Sequence, residues 1–358
     1  MADLTWRAYR STTEGGTYVE LDDIQSIVMQ LGRNKVTDQW RPATAMINGR
    51  LPGSLPSLAV NDFIKINNTT VNYDYYFRVA DIKIEYDFVS NGDTWEIACE
   101  AALATAGRSN VSATITAGDE TIYSMGILLT DAPVTFSQAT GLGASFVSGF
   151  TVDDENPIPY FQKLAQTEQA YIADYDFENT IVAFQRGTAT NGPFVTFTDD
   201  NTATTTYKVP YNKISFASLA EDYVDGTVVN PAGLATQTAG TLGRSFSLDS
   251  FDQTTSQAAD LAAYLNVVLS QSSAVPNSVT TNVKTWVNAT PQAYLTLGQQ
   301  MTVRLRSTNY NCVLEGLTIA ATPSQTLITA KLSPATAYAF LTLDDAVLGR
   351  LDYNALGF

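Results

Sequence analysis

The sequence contains no histidine. That absence removes Ser–His–Asp hydrolysis, Cys–His proteolysis, His-ligated zinc and most proton shuttling near neutral pH. Cysteine is nearly absent too. Cys99 and Cys312 stand far apart, each inside a strand-like run, and read as small buried hydrophobes rather than a disulfide. Charge is sparse, at 16% of residues, and leans negative to a net −16. A nucleic-acid interface needs clustered Lys and Arg to displace counterions, so no sequence-specific nucleic-acid binding is expected. No run reaches the roughly 18 apolar residues of a membrane span, and no N-terminal stretch has the make-up of a signal peptide. The expectation is a chain made and folded in a cytoplasm, with no membrane span. No residue set qualifies as catalytic, cofactor-binding or metal-ligating.

What is present is 358 residues, 45% of them hydrophobic, with abundant Thr, Ala, Asn and Gly. The length suffices for two or three domains and a sizeable core, and the composition is that of a β-rich structural protein. Strands are expected at Leu4–Tyr9, Tyr18–Leu21, Ile24–Leu31, Ala43–Ile47, Phe63–Ile66, Tyr75–Tyr86 and Thr94–Cys99, with Asn91-Gly92 as a hairpin turn. Alternation in the long strand slips between Val79 and Ile82, which predicts a β-bulge there.

The stretch Asn156–Arg186 organises the middle of the chain. Pro157 and Pro159 suit the first turn of a helix near 158–171. Its Phe161, Leu164, Ala165 and Ile172 form an apolar face, and Gln162, Gln166, Gln169 and Glu168 read as solvated. A hairpin through Ile181, Val182 and Phe184 follows. The run Asp153-Asp154-Glu155 reads as a capping and solvated run rather than a cation site. Asp174, Asp176 and Glu178 have part of a calcium-loop spacing but lack its central Gly and terminal Glu. A second helix near 254–271 carries the clearest stripe of the chain, Ala258, Leu261, Ala262, Leu265, Val268 and Leu269, and should face a core.

The late strands echo the early ones. Asp62–Ile66 matches Gln300–Leu305 in type, Val79–Ile84 matches Val313–Ile319 with one extra residue, and Thr94–Ala98 matches Thr326–Ala330. The same order at similar spacing indicates a duplicated β domain around a middle insertion, with chance similarity of β-hairpins as the alternative.

Several runs resemble phage tail hub (minor tail) proteins. They are Tyr160–Glu168 with the hairpin ending Ala183–Arg186, Asp93–Ile97, Asp225–Asn230, and the closing Phe340–Asp345, Gly349–Asp352 and Leu356–Phe358. The resemblance implies a mainly β (α+β) fold: two tail-tube-like β-barrel domains, 1–105 and 213–335, a middle α+β domain at 106–212, and a C-terminal extension at 336–358. It implies a homotrimeric ring at the tail tip or baseplate of a long-tailed bacteriophage. Such a ring joins the hexameric tail tube or distal tail protein above to tip, spike or fibre proteins below. Tape-measure protein and DNA pass through its lumen, and part of the negative charge is expected on that wall. The implied location is the virion tail tip, after assembly in the host bacterial cytoplasm.

Two other readings compete. A receptor- or carbohydrate-binding β protein would use exposed aromatic rings, and 11% of residues are aromatic. A glycosidase would need a carboxylate pair such as Asp153 and Glu168, but acidic residues are too many for one pairing to carry meaning. The chain is therefore read as a non-enzyme.

Overall fold

The computed structural model describes residues 5–50, 57–86, 93–140, 145–184, 195–200, 207–216, 224–271, 275–288 and 290–335. The expected Asn91-Gly92 turn, the hairpin end at Gln185-Arg186 and the closing motifs of 336–358 lie outside these residues.

The first half comprises β1 (Trp6–Ser11), β2 (Val19–Glu20), β3 (Ile24–Gly32), β4 (Thr44–Arg50), β5 (Phe63–Asn68), β6 (Tyr73–Glu85) and β7 (Thr94–Glu100). Period-2 alternation sets which face is dry. On β7, Trp95, Ile97 and Cys99 are buried, while Thr94, Glu96, Ala98 and Glu100 face outward. The middle segment comprises α1 (Ala102–Ala106), β8 (Val111–Ile115), α2 (Thr121–Leu128), β9 (Thr135–Thr140), β10 (Phe150–Glu155), α3 (Ile158–Glu168), β11 (Tyr171–Ala173) and β12 (Thr180–Phe184). The remainder holds β13 (Val195–Thr198), β14 (Lys208–Pro210), β15 (Lys213–Phe216), β16 (Gly226–Pro231), β17 (Gln237–Gly240), β18 (Ser245–Ser250), α4 (Thr255–Gln271), β19 (Pro276–Asn282), β20 (Gln300–Leu305), β21 (Thr308–Thr322) and β22 (Gln325–Pro334).

The architecture is mainly β with few helices, as expected. Fourteen strands belong to one branched sheet. Its first half runs β5-β6-β7-β4-β3 and its second β20-β21-β22-β19-β15, every neighbour antiparallel. The two halves therefore repeat one five-strand topology in one chain order. Both carry the same bulge: β6 shifts register between Val79 and Asp81, β21 between Leu314 and Gly316. The ladders equate Val79 with Leu314, Ile82 with Leu317 and Trp95 with Ile328. No extra residue is needed; matching by residue type slid the alignment by one because it treated the shared bulge as an insertion. Among the described residues no ladder joins the sheet's ends into a closed barrel.

Between β15 and β19 the second half carries an insertion, the three-stranded sheet β17-β16-β18 covered by α4. The α4 stripe is buried as predicted, with Leu265 1% exposed. Ala258 to Leu265 pack on Val229 and Leu248 of the helix's own small sheet, and Val268 and Leu269 pack with Val36 from the β3–β4 connection. The insertion also rests on the middle segment: Phe251 N–H donates to Thr167 Oγ1 at 2.9 Å, and the Phe251 ring stacks on Phe150 at 4.2 Å. β13 and β14, expected in the middle segment, extend the second half through parallel pairing of β13 with β20.

α3 ends at Glu168, three residues short of the expected 171, because Gln169 after it takes a left-handed φ of 55°. Its first free N–H, that of Ile158, is capped by Asn156 Oδ1 at 2.9 Å. The acidic run does not cap it, because Asp153, Asp154 and Glu155 belong to β10. Most of the polar face of α3 is also not solvated, Gln166 alone of the four being half-exposed. Gln162, Glu168 and Gln169 are each 2–3% exposed, since Gln162 bonds both main-chain groups of Trp40 and Glu168 accepts from Ser145 N–H. Helical spacing cannot separate a polar face turned to water from one turned to main-chain groups.

Candidate assembly surface

The two halves meet at a seam. β21 bonds β3 through the rungs Gly316–Gly32, Leu317–Leu31, Ile319–Met29 and Ala321–Ile27. The large sheet thus runs unbroken across both repeats. Gly32 has φ +75°, and a Cβ there would lie 2.4 Å from the Glu315 carbonyl oxygen; a Cβ on Gly316 would lie 2.4 Å from that of Arg33. The strands can close to hydrogen-bonding distance at this point only because both residues lack side chains.

Beside the glycine pair lies a buried ion pair. Arg33 Nε donates to Glu315 Oε2 at 2.8 Å, with side chains 1% and 0% exposed. Glu315 Oε1 also accepts from Tyr171 Oη at 3.2 Å and from Ser333 Oγ. The guanidinium lies over the Trp40 and Tyr171 rings, 4.6 and 5.6 Å from their centres. Burial alone would pull Arg33's pKa down; the adjoining Glu315 carboxylate more than offsets that and holds the group charged. One carboxylate at the bulge of β21 thus binds the end of β3 and, through Tyr171, the middle segment.

A second buried acid ties the middle segment to the first half. Asp174 follows β11 and accepts from Ala43 N–H at 3.2 Å and Leu103 N–H at 3.2 Å. Desolvation pushes its carboxyl up to about 7, although the main-chain donors pull the other way. Asp176 accepts from Tyr73 Oη and Glu178 from Gly15 N–H, so the three acids of that run serve three different partners. Asp153 is exposed on β10, while Glu168 is buried and bound to Ser145. The fold does not present the two as a matched pair. Among the described residues no group of three His, Cys, Asp or Glu could hold a metal ion. Cys99 and Cys312 are buried and free; burial drives both thiol pKa values up, that of Cys312 to about 12. No helix among the described residues is long and apolar enough to cross a membrane.

The sheet has one open face. It carries Gln30, Thr44, Asn48, Thr318, Thr329 and Thr280 beside acids such as Asp81, Glu85, Glu96 and Glu100 and bases such as Arg50, Arg78, Lys83, Lys213 and Lys331, each half-buried or exposed. The chain's net negative charge is therefore not gathered on this face. A cleft of about 360 Å³ along the seam mixes Arg41 and Lys331 with Asp38 and Glu100, so it offers no field of one sign.

The fold is that of solved phage tail proteins. The 43 kDa tail protein of prophage MuSo2 from Shewanella oneidensis superposes with a TM-score of 0.62 at 11% identity, over 92% of this chain and 96% of that one. The tail protein of Neisseria meningitidis MC58 gives 0.63 at 8% identity, over 92% and 97%. An E. coli component of the type VI secretion system, described as structurally similar to the T4 tail proteins gp27 and gp5, gives 0.52 at 10% identity, over 87% and 73%. No protein-family model and no curated protein sequence matches the chain.

Proposed function

We propose that this chain is a non-catalytic structural hub of a long-tailed phage, built into the tail tip or baseplate as a homotrimeric ring. The observation that carries the reading is the duplicated five-strand unit joined edge to edge in one chain. Three chains then offer six similar sheet units, the number needed to match a sixfold tube on one side and a threefold tip on the other. The likeness to tail proteins over nine-tenths of the chain supports the same role. Its neighbours are a distal tail protein or tail tube, tip, spike or fibre proteins, and tape-measure protein in the lumen. DNA passes without being gripped: on the sheet's Thr-rich open face cations such as Arg78 and Lys83 stand on rungs with Glu100 and Glu96 rather than in a cluster of one sign. The exposed aromatic side chains, such as Tyr86, Tyr123, Phe177 and Tyr207, sit on separate elements, which favours a structural role over a sugar platform.

Native mass spectrometry of the purified chain tests the ring. Three copies of 38.7 kDa, about 116 kDa, are expected. A monomer at all concentrations, with no copy on the tail axis of the particle, would sink the proposal.

A further inference from the structure

The repeat leaves one position of the pattern unfilled. On β21, residues 308–313 pair with β20, and residues 316–321 are bonded on that same side by β3. On β6, residues 73–78 pair with β5, but among the described residues no strand pairs with 81–85 on that side. On β3 both edges are used, by β4 and β21. Among the described residues its counterpart β15 pairs only with β19. One half thus shows a bare acceptor edge and the other a bare donor edge, and these correspond to the two edges the seam joins.

We propose that β15 of one copy adds to β6 of the next, repeating the β3–β21 seam between molecules. The pairing itself comes from the repeat; its closure after three copies rests on the ring reading above. The ladders equate Ile27 with Ile214, Val28 with Ser215, Ile84 with Ile319 and Glu85 with Ala320. Transferring the seam's rungs gives Ile84–Phe216, Glu85–Ser215 and Tyr86–Ile214. At the seam the matching side chains Ile319, Met29, Ile27 and Ala321 are at most 3% exposed, whereas Phe216 is 40% and Tyr86 57% exposed. The apolar face finished inside the chain is unfinished at both outer edges. On the opposite face Glu85 comes diagonal to Lys213, within reach for an attractive cross-strand pair. A bare β edge is a template for strand addition, and a donor edge that fits a different acceptor edge adds head to tail, the arrangement that closes into rings.

The test is a disulfide across the inferred rung. Ile84→Cys with Phe216→Cys brings two thiols to directly opposed strand positions, a spacing a disulfide spans. Native Cys99 and Cys312 are buried and serve as silent controls. Mild oxidation should link copies to one another on non-reducing gels in the double variant only, in the purified chain and in assembled tails. Should that variant fold poorly, Glu85→Cys with Ser215→Cys probes the same register from the other face. Glu85→Lys should weaken association by about two- to fivefold, and adding Lys213→Glu should restore it. A three-copy assembly in which neither cysteine pair links copies overturns the strand pairing and leaves the ring standing. A chain that is monomeric and off the tail axis overturns the ring reading, and with it the pairing.

Discussion

Glu315→Gln removes the charge that holds Arg33 while keeping an acceptor for Tyr171 and Ser333. Both side chains of the ion pair are at most 1% exposed, so the guanidinium is left charged with no counterion. Breaking a buried pair from one side costs about 3–5 kcal/mol. For a chain of 358 residues unfolding as one unit, about 2.1 cal/mol/K per residue converts each kcal/mol to about 1.3 °C in Tm. The expected loss is then roughly 4–7 °C. Arg33→Met alone should cost a similar amount, because Glu315 is then the stranded charge. The double variant leaves no buried charge there, and should recover at least about 2 kcal/mol of the summed single losses. The assay is a double-mutant cycle by guanidinium denaturation with fluorescence detection of the four tryptophans. Single variants within about 1 kcal/mol of wild type, or strictly additive losses, would refute the idea that this pair fastens the seam.

Three further changes probe the same framework. Gly316→Ala places a Cβ against the Arg33 carbonyl oxygen; it should shift β3 off β21 and raise amide exchange along Ile27–Leu31, and unchanged protection there would show that the glycine is incidental. Leu265→Ala should lower stability by about 2–5 kcal/mol, read by thermal melting, and a wild-type melt would mean the α4 stripe tolerates a cavity. Asp174 carries a pKa raised from 3.8 to about 7, so the native state holds a proton the unfolded chain has released. Its contribution to stability is full below about pH 4 and is lost as pH rises to about 7, with a slope of up to on the order of 1.4 kcal/mol per pH unit. Relative to wild type, Asp174→Asn should flatten that fall in urea titrations at stepped pH, and parallel pH profiles would contradict the assignment.

The mainly β architecture, the α4 stripe, the bulge after Val79 and the repeat were legible because each rests on period: two along strands, near 3.6 along α4. What stayed hidden depends on partners distant in sequence. Gln162 of α3 looked solvated because its partner, Trp40, is 122 positions away. Glu315 gave no sign of its role, since an acid at a bulge reads as exposed until Arg33, 282 residues earlier, is placed beside it. The insertion at β16–α4 was read as part of the second β domain, because a stripe reports burial but not the surface that provides it. The negative charge expected on an axial wall came from a net total, which carries no direction, and the open face of the large sheet mixes both signs.

A cryo-EM reconstruction of the intact tail tests the central claim most directly. The account predicts three copies of this chain in one closed ring on the tail axis, between tube and tip, with their sheets joined into six successive five-strand units. Copies found off the axis, or a ring whose subunits do not meet through the large sheet, would contradict it.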